Sequence, residues 1–383
     1  MHQIKNIIFL FALLLSFGCI KSYDPRIDAG ASSKYVVTGR VTGTEGWQEV
    51  SVSLSSPISD PTIIPVSGCQ VSILDDKGGV FPLEQASAGI YHVWMGKENL
   101  MPGTSYKVKV ITPEGEELAS AYDRMPNGPG LDSVYYVIKD VPTSDPAITS
   151  RIMQFYVDLN AVGDYSHFYK WEVEETWQYD AAHPIENYYD GNFNQVVPPD
   201  YSLKVCYITQ PIRNVFTVST KNLSQNIYKQ YPLHFIDGHT SRLGILYSIL
   251  VRQVALSEDA YNYWEKLRIN SNEQGGLYEK QPFAIKGNVA NVSSPDKVVL
   301  GCFYAVSEVS RRYFYKNVPG IDLDFTDFCT FDTLGNGGWK DVTPDQYPVY
   351  YLYEGFTLRI LTRDCVDCRL QGGQLVKPDF WPN

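Results

Sequence analysis

Short runs in which apolar and polar residues alternate, broken by clusters of Gly, Pro, Asn and Asp, fill most of the chain, and this period of two predicts strands. Val50, Val52 and Leu54 alternate with Ser51, Ser53 and Ser55. Cys69, Val71 and Ile73 repeat the pattern ahead of Asp75-Asp76-Lys77-Gly78-Gly79, a strong hairpin turn. Gly89 to Trp94 starts another strand. Leu100-Met101-Pro102-Gly103 then turns the chain toward Val108 and Val110, with Tyr106 where a corner tyrosine bonds the turn backbone. Thr112-Pro113-Glu114-Gly115 makes the next turn. Closely spaced strands of this kind predict an immunoglobulin-like or carboxypeptidase-regulatory-like sandwich over residues 35–126.

Met125 to Gly130 is rich in Pro, Gly and Asn and marks a boundary, so residues 131–383 form a second, larger β-rich domain with one or a few short helices. Leu131 to Val137, Phe155 to Leu159 and Phe168 to Trp177 read as aromatic strands, and Val298 to Val306 as a buried one. Leu246 to Leu256 fits strand or helix by periodicity alone. One helix is clear: Ser257 is a good N-cap, Glu258 and Asp259 suit the first turn, and Tyr261, Trp264 and Leu267 recur at helical spacing. The fold class is therefore mainly β.

Composition agrees. Hydrophobic residues make up 44% and charged ones 20%, which excludes wholesale disorder, while 28 Tyr, 17 Phe and 7 Trp suit pleated surfaces. A formal charge of −11 leaves no footprint for a polyanion, so nucleic acid is not an expected partner. The N-terminal end changes the picture more. Ile7 to Phe17 is an apolar run that as a helix spans roughly 17 Å, well short of the ~30 Å hydrocarbon core, and reads as a secretory signal over residues 1–18. Gly18-Cys19 resembles a lipobox, with Ser16 in place of the usual leucine and Leu15 one position earlier. Cys19 is then the lipidated first residue of a short tether, residues 19–34, and multiple acyl chains anchor the protein to a membrane.

Six further cysteines fit an exported chain with disulfides. Cys206, Cys329, Cys365 and Cys368 are the expected partners, in unspecified pairing, and Cys69 and Cys302 lie in strand-like runs as buried free thiols. Cys365-Val366-Asp367-Cys368 lacks the strand-to-helix context of a redox motif and a second close pair for zinc.

No nucleophile elbow, zinc-protease or phosphate-loop string occurs. His234 and His239 flank Asp237 at a spacing that matches neither helix nor strand face and read as turn histidines. Asp322, Asp324 and Asp327 lack the glycine and distal glutamate of a calcium loop. Glu172 and Glu174 share a strand face, which solvation explains. No catalytic residue, metal or cofactor is expected. The informative segments are residues 179–201, read as a long loop, and 333–353, where Tyr179, Tyr188, Tyr189, Phe193, Tyr201, Trp339 and Tyr350 are candidate contacts for ligand or partner.

Gly18-Cys19, Tyr35-Val36-Val37-Thr38-Gly39, Leu131-Asp132-Ser133-Val134, Tyr169-Lys170-Trp171 and Leu256 to Tyr261 together resemble the domain of unknown function 4249 family of Bacteroidota lipoproteins. Gln281-Pro282, Gly287-Asn288-Val289 and Leu300-Gly301 extend the resemblance over nearly the whole mature chain. Cys69 and Cys302 depart from it, standing where a small and an aromatic residue are expected. The resemblance implies an outer-membrane lipoprotein associated with a TonB-dependent receptor and carries over no catalytic residue. The expected function is a non-enzymatic accessory in nutrient uptake. The alternatives are a cell-surface enzyme on glycan or peptide, for which an acidic pair in a deep cleft would speak, or a purely structural envelope protein.

Overall fold

The computed structural model describes residues 33–56, 61–145, 149–272, 285–324, 329–334 and 338–382. The leader, Cys19 and most of the tether, Gln281-Pro282 and Asp327 lie outside the described residues. The chain is mainly β. Nine strands come first: β1 (Tyr35–Thr42), β2 (Gly46–Leu54), β3 (Ile64–Pro65), β4 (Gln70–Asp75), β5 (Val80–Ser87), β6 (Ile90–Met95), β7 (Ser105–Ile111), β8 (Glu117–Ser120) and β9 (Asp123–Arg124). They pair in the order β1-β2-β6-β5-β4-β7-β8, with β5 shared between two layers. Val37, Val50 and Val52 meet Ile73, Val108 and Val110 in one core, which is why only every second residue is apolar. The Asp75 carboxylate closes the β4–β5 turn by accepting from the Lys77 and Gly79 N–H groups at 2.9 and 2.6 Å. Tyr106 is buried and its hydroxyl donates to the Asn99 carbonyl at 2.5 Å, the corner bond its position predicts.

The chain continues through β10 (Ser133–Pro142), β11 (Thr149–Asn160), β12 (Phe168–Asp180), β13 (Ile185–Tyr189), β14 (Phe193–Asp200), β15 (Val205–Ser219), β16 (Ile227–Asp237) and β17 (Tyr247–Ala255). Then follow α1 (Glu258–Asn272), β18 (Val289–Asn291), β19 (Phe303–Tyr315), β20 (Phe331–Asp332), β21 (Val349–Glu354) and β22 (Thr357–Leu361). Residues 247–255 are thus strand. The Ser257 hydroxyl caps α1 by accepting from the Ala260 N–H at 3.1 Å, and the helix packs Ala260, Tyr261 and Trp264 against Val254, Tyr304 and Val306. Strands β15-β12-β17-β19 form one layer and β10-β11-β16 the other. Tyr169, Trp171 and Val173 alternate into the core between them, with Phe155, Val157 and Tyr247. Lys170, Glu172 and Glu174 face the other way.

The division at residues 127–130 is not a division of structure. β19 pairs in parallel with β1, Gly39 opposite Phe303 through Thr42 opposite Val306, so the large sheet runs without a break into the first sandwich. β18 extends β8, and Val289, Val299, Phe303 and Ala305 complete the first core. The linker is fastened as well: Ser307 donates to the Pro126 carbonyl at 2.5 Å and Gln253 to those of Pro129 and Gly130. The strand expected over Val298–Val306 begins only at Phe303, because Gly301 takes a positive φ of 93° where the chain crosses close over the Val37 backbone.

The segment read as a long loop is a hairpin. β13 and β14 join β21, β22 and β20 in a separate five-stranded sheet ordered β14-β13-β21-β22-β20. The adjacent pairs Tyr188-Tyr189 and Val196-Val197 fit a strand as well as a loop, and the partner that settles the matter, β21, lies some way off in sequence.

Candidate functional site

The five-stranded sheet brings the two aromatic segments together. Tyr188 lies opposite Tyr350 in the register, and Tyr189 opposite Val349. On one face Tyr189, Phe193, Trp339 and Tyr351 pack ring to ring, the Tyr189–Trp339 centroids 4.8 Å apart and Phe193–Trp339 5.0 Å. On the other, Tyr188 and Tyr350 pack on Ile185, Leu361 and Val366 and so hold the sheet rather than present a surface. Phe193 stays 57% exposed, Tyr353 60%, and Phe356 at the β21–β22 turn is fully exposed. Tyr201, just after β14, is also exposed. Tyr179 is a correction: it is the last residue but one of β12 and is buried in the core of the layers above, so it presents no contact surface.

Two disulfides form among the described residues. Cys329–Cys365 ties the approach to β20 to the turn after β22, and Cys206–Cys368 ties that C-terminal turn to β15, with Cα separations of 4.4 and 5.7 Å. The Cys365/Cys368 pair therefore serves two distant partners, not redox exchange. Cys69 and Cys302 are free and buried; burial pushes the Cys302 thiol up to about 12.

The second concentration of chemistry lies on the outward face of the continuous sheet, where β12, β17, β19, β1 and β2 run side by side and α1 forms a wall. A cleft of about 730 Å3 opens there. Glu172 is not on a solvated face: its carboxylate accepts from Arg40 Nη1 at 2.6 Å and pairs with Lys170 Nζ at 2.8 Å. Arg40 Nη2 reaches Glu308 at 3.4 Å, and the Lys170 ammonium sits 3.4 Å from the centre of the Trp264 ring. Burial works to raise the Glu172 carboxyl, but the charges of Lys170 and Arg40 overcome it and hold it at about 2. Burial also lowers Lys170 more than Glu172 restores it. The trio is held by one carboxylate facing two cations, and burial works against the charge of all three. Glu174 likewise pairs with Arg312 at 2.7 Å.

On the inward face Glu175 is fully buried. Gln210 donates to it at 2.6 Å and Tyr247 at 3.1 Å, while His234 and Arg242 stand at 3.3 and 3.2 Å. Burial raises this carboxyl, and the His234 and Gln210 bonds bring it below its ordinary value. His234 is thus a strand residue on a buried acid, not a turn histidine. His239 contacts the Asp324 carbonyl. No group of three or more metal-ligating side chains occurs among the described residues. Sequence spacing had one signal for the cleft, the i, i+2 pair Lys170 and Glu172; Arg40 and Glu308 are brought in by strand pairing alone.

A family profile described as "Domain of unknown function (DUF4249)" matches residues 20–312. No curated protein matches the chain. Among solved structures, the crystal structure of a mutant Salmonella alpha-2-macroglobulin aligns with 60% of this chain at 9% identity and a TM-score of 0.20. The chain spans 14% of that protein's length.

Proposed function

This chain belongs to the DUF4249 family, and from that premise we propose that it is a lipid-anchored accessory protein of the outer membrane that docks on a TonB-dependent receptor in nutrient uptake. The observation that carries the reading is the aromatic face of the five-stranded sheet, on which Phe193 and Tyr353 stay exposed over a buried Tyr351, assembled from segments far apart in sequence and fastened by two disulfides. Rigid, exposed aromatic side chains are the composition of contact surfaces, since they bury much area at little entropic cost. The non-enzymatic part is supported by the cleft. A glycosidase acid must hold its proton near neutral pH, whereas Glu172 is kept ionised by two cations and Arg40 bridges it to Glu308.

Affinity purification of the full chain from detergent-solubilised outer membrane is the test. Co-purification of a receptor, lost on Phe193→Ala with Tyr353→Ala, is expected; recovery of no receptor under mild conditions overturns the reading. For the anchor, Cys19→Ser is expected to release the protein from membranes. Unchanged retention together with failure to incorporate labelled fatty acid would refute it.

A further inference from the structure

The cleft on the continuous sheet has features that the receptor-docking reading does not use. Trp47 on β2 lines it and is 60% exposed, although its indole stacks on His92 at 4.1 Å between centroids and meets Trp94 edge-on at 5.6 Å. An exposed tryptophan held at a fixed tilt by two aromatic neighbours is a flat apolar platform at the mouth of a polar cleft. The polar groups are balanced. Arg40, Lys170 and Arg252 face Glu49, Glu172 and Glu308, so the cleft has no net charge in a chain that carries −11 overall.

That balance gives no net pull on an ionic ligand and leaves hydrogen-bonding capacity of both signs. The Arg252 guanidinium and the Glu49 carboxylate enter no ion pair among the described residues. Glu308 Oε2 is buried, accepts no hydrogen bond, and has only Arg40 Nη2 at 3.4 Å. That oxygen is closed to the cleft and stays with Arg40, so the groups open to a ligand are Arg252 and Glu49. Donors and acceptors interleaved around an aromatic platform, in a space within the ~300–1,000 Å3 range of ligand sites, match a ring with many hydroxyls and one apolar C–H face.

We propose that this cleft is a binding site for a neutral oligosaccharide, with Trp47 stacking on a sugar ring and Arg252 and Glu49 exchanging hydrogen bonds with its hydroxyls. The site uses none of the residues of the five-stranded sheet, so it stands or falls apart from receptor docking. The probes are maltohexaose, cellohexaose, xylohexaose and mannohexaose, titrated into the full chain in detergent with tryptophan fluorescence and calorimetry as readouts. Tetra-alanine and inorganic phosphate serve as comparisons. Saturable binding of at least one hexasaccharide is expected, weakened about tenfold by Trp47→Ala and by Arg252→Met, and unchanged by Phe193→Ala. Both weakened variants change side chains on the outward face, and circular dichroism checks that each is folded. No saturation with any hexasaccharide overturns the proposal, as does undiminished binding by both variants or tighter binding of tetra-alanine or phosphate than of every sugar.

Discussion

Glu172 shows how far a residue's role can depart from its local pattern. Alternation along β12 puts its side chain on the outward face, and that much is legible in the sequence. What makes it structural is Arg40, more than a hundred positions earlier, which only the β1–β19 pairing brings within 2.6 Å. Replacing it with glutamine leaves Arg40 and Lys170 without their shared counter-charge, so Glu172→Gln is expected to lower stability by about 3 kcal/mol in urea denaturation. The carboxyl is depressed in the folded chain, so its contribution is complete above the ordinary glutamate range and fades as pH falls toward about 2. The difference between wild type and variant should therefore shrink on acidification across that window. A gap that stays constant contradicts the assignment. Cys302 sits beside this network, and its raised, buried thiol is expected to resist iodoacetamide until the chain unfolds, as mass spectrometry would show.

Elements that close on their nearest neighbours were the legible ones. The Asp75–Gly79 turn, the Tyr106 corner and the Ser257 cap each rest on a bond spanning a few residues, and each is where its local signal puts it. The elements that escaped are those completed by distant partners. β13 and β14 are strands because β21 is there to pair with them, and an aromatic, polar and Pro-containing stretch does not announce that. The late start of β19 is of the same kind. A Cβ on Gly301 would lie 2.1 Å from the Val37 carbonyl oxygen, and the residue's φ is 93°. Gly301→Ala is therefore expected to cost at least about 2 kcal/mol, measured by denaturant unfolding. A variant as stable as wild type would mean that the crossing of β1 is not tight.

For the whole molecule, the return of residues 289–305 to the first sandwich decides what folds alone. A fragment ending at Gly130 lacks Val289, Val299 and Phe303, each buried in that core and each contributing on the order of 1.5–3 kcal/mol. Their sum is comparable with the whole stability of a typical domain, so the fragment is expected to give a poorly dispersed amide NMR spectrum. A well-dispersed spectrum would show the sandwich to be independent. The disulfides act at the same scale. Cys206–Cys368 spans 162 positions, and Cys206→Ser with Cys368→Ser is expected to destabilise by about 2–5 kcal/mol. The pairing of β1 with β19 also has a mechanical meaning. β1 is the first strand that a pull transmitted through residues 1–33 would reach, and it is hydrogen-bonded along both edges, to β2 and to β19. Such a load runs along the strand axis and shears both ladders together instead of unzipping one bond at a time. The first described strand is thus also the seam between the two halves, and tension on it would be shared by the entire sheet.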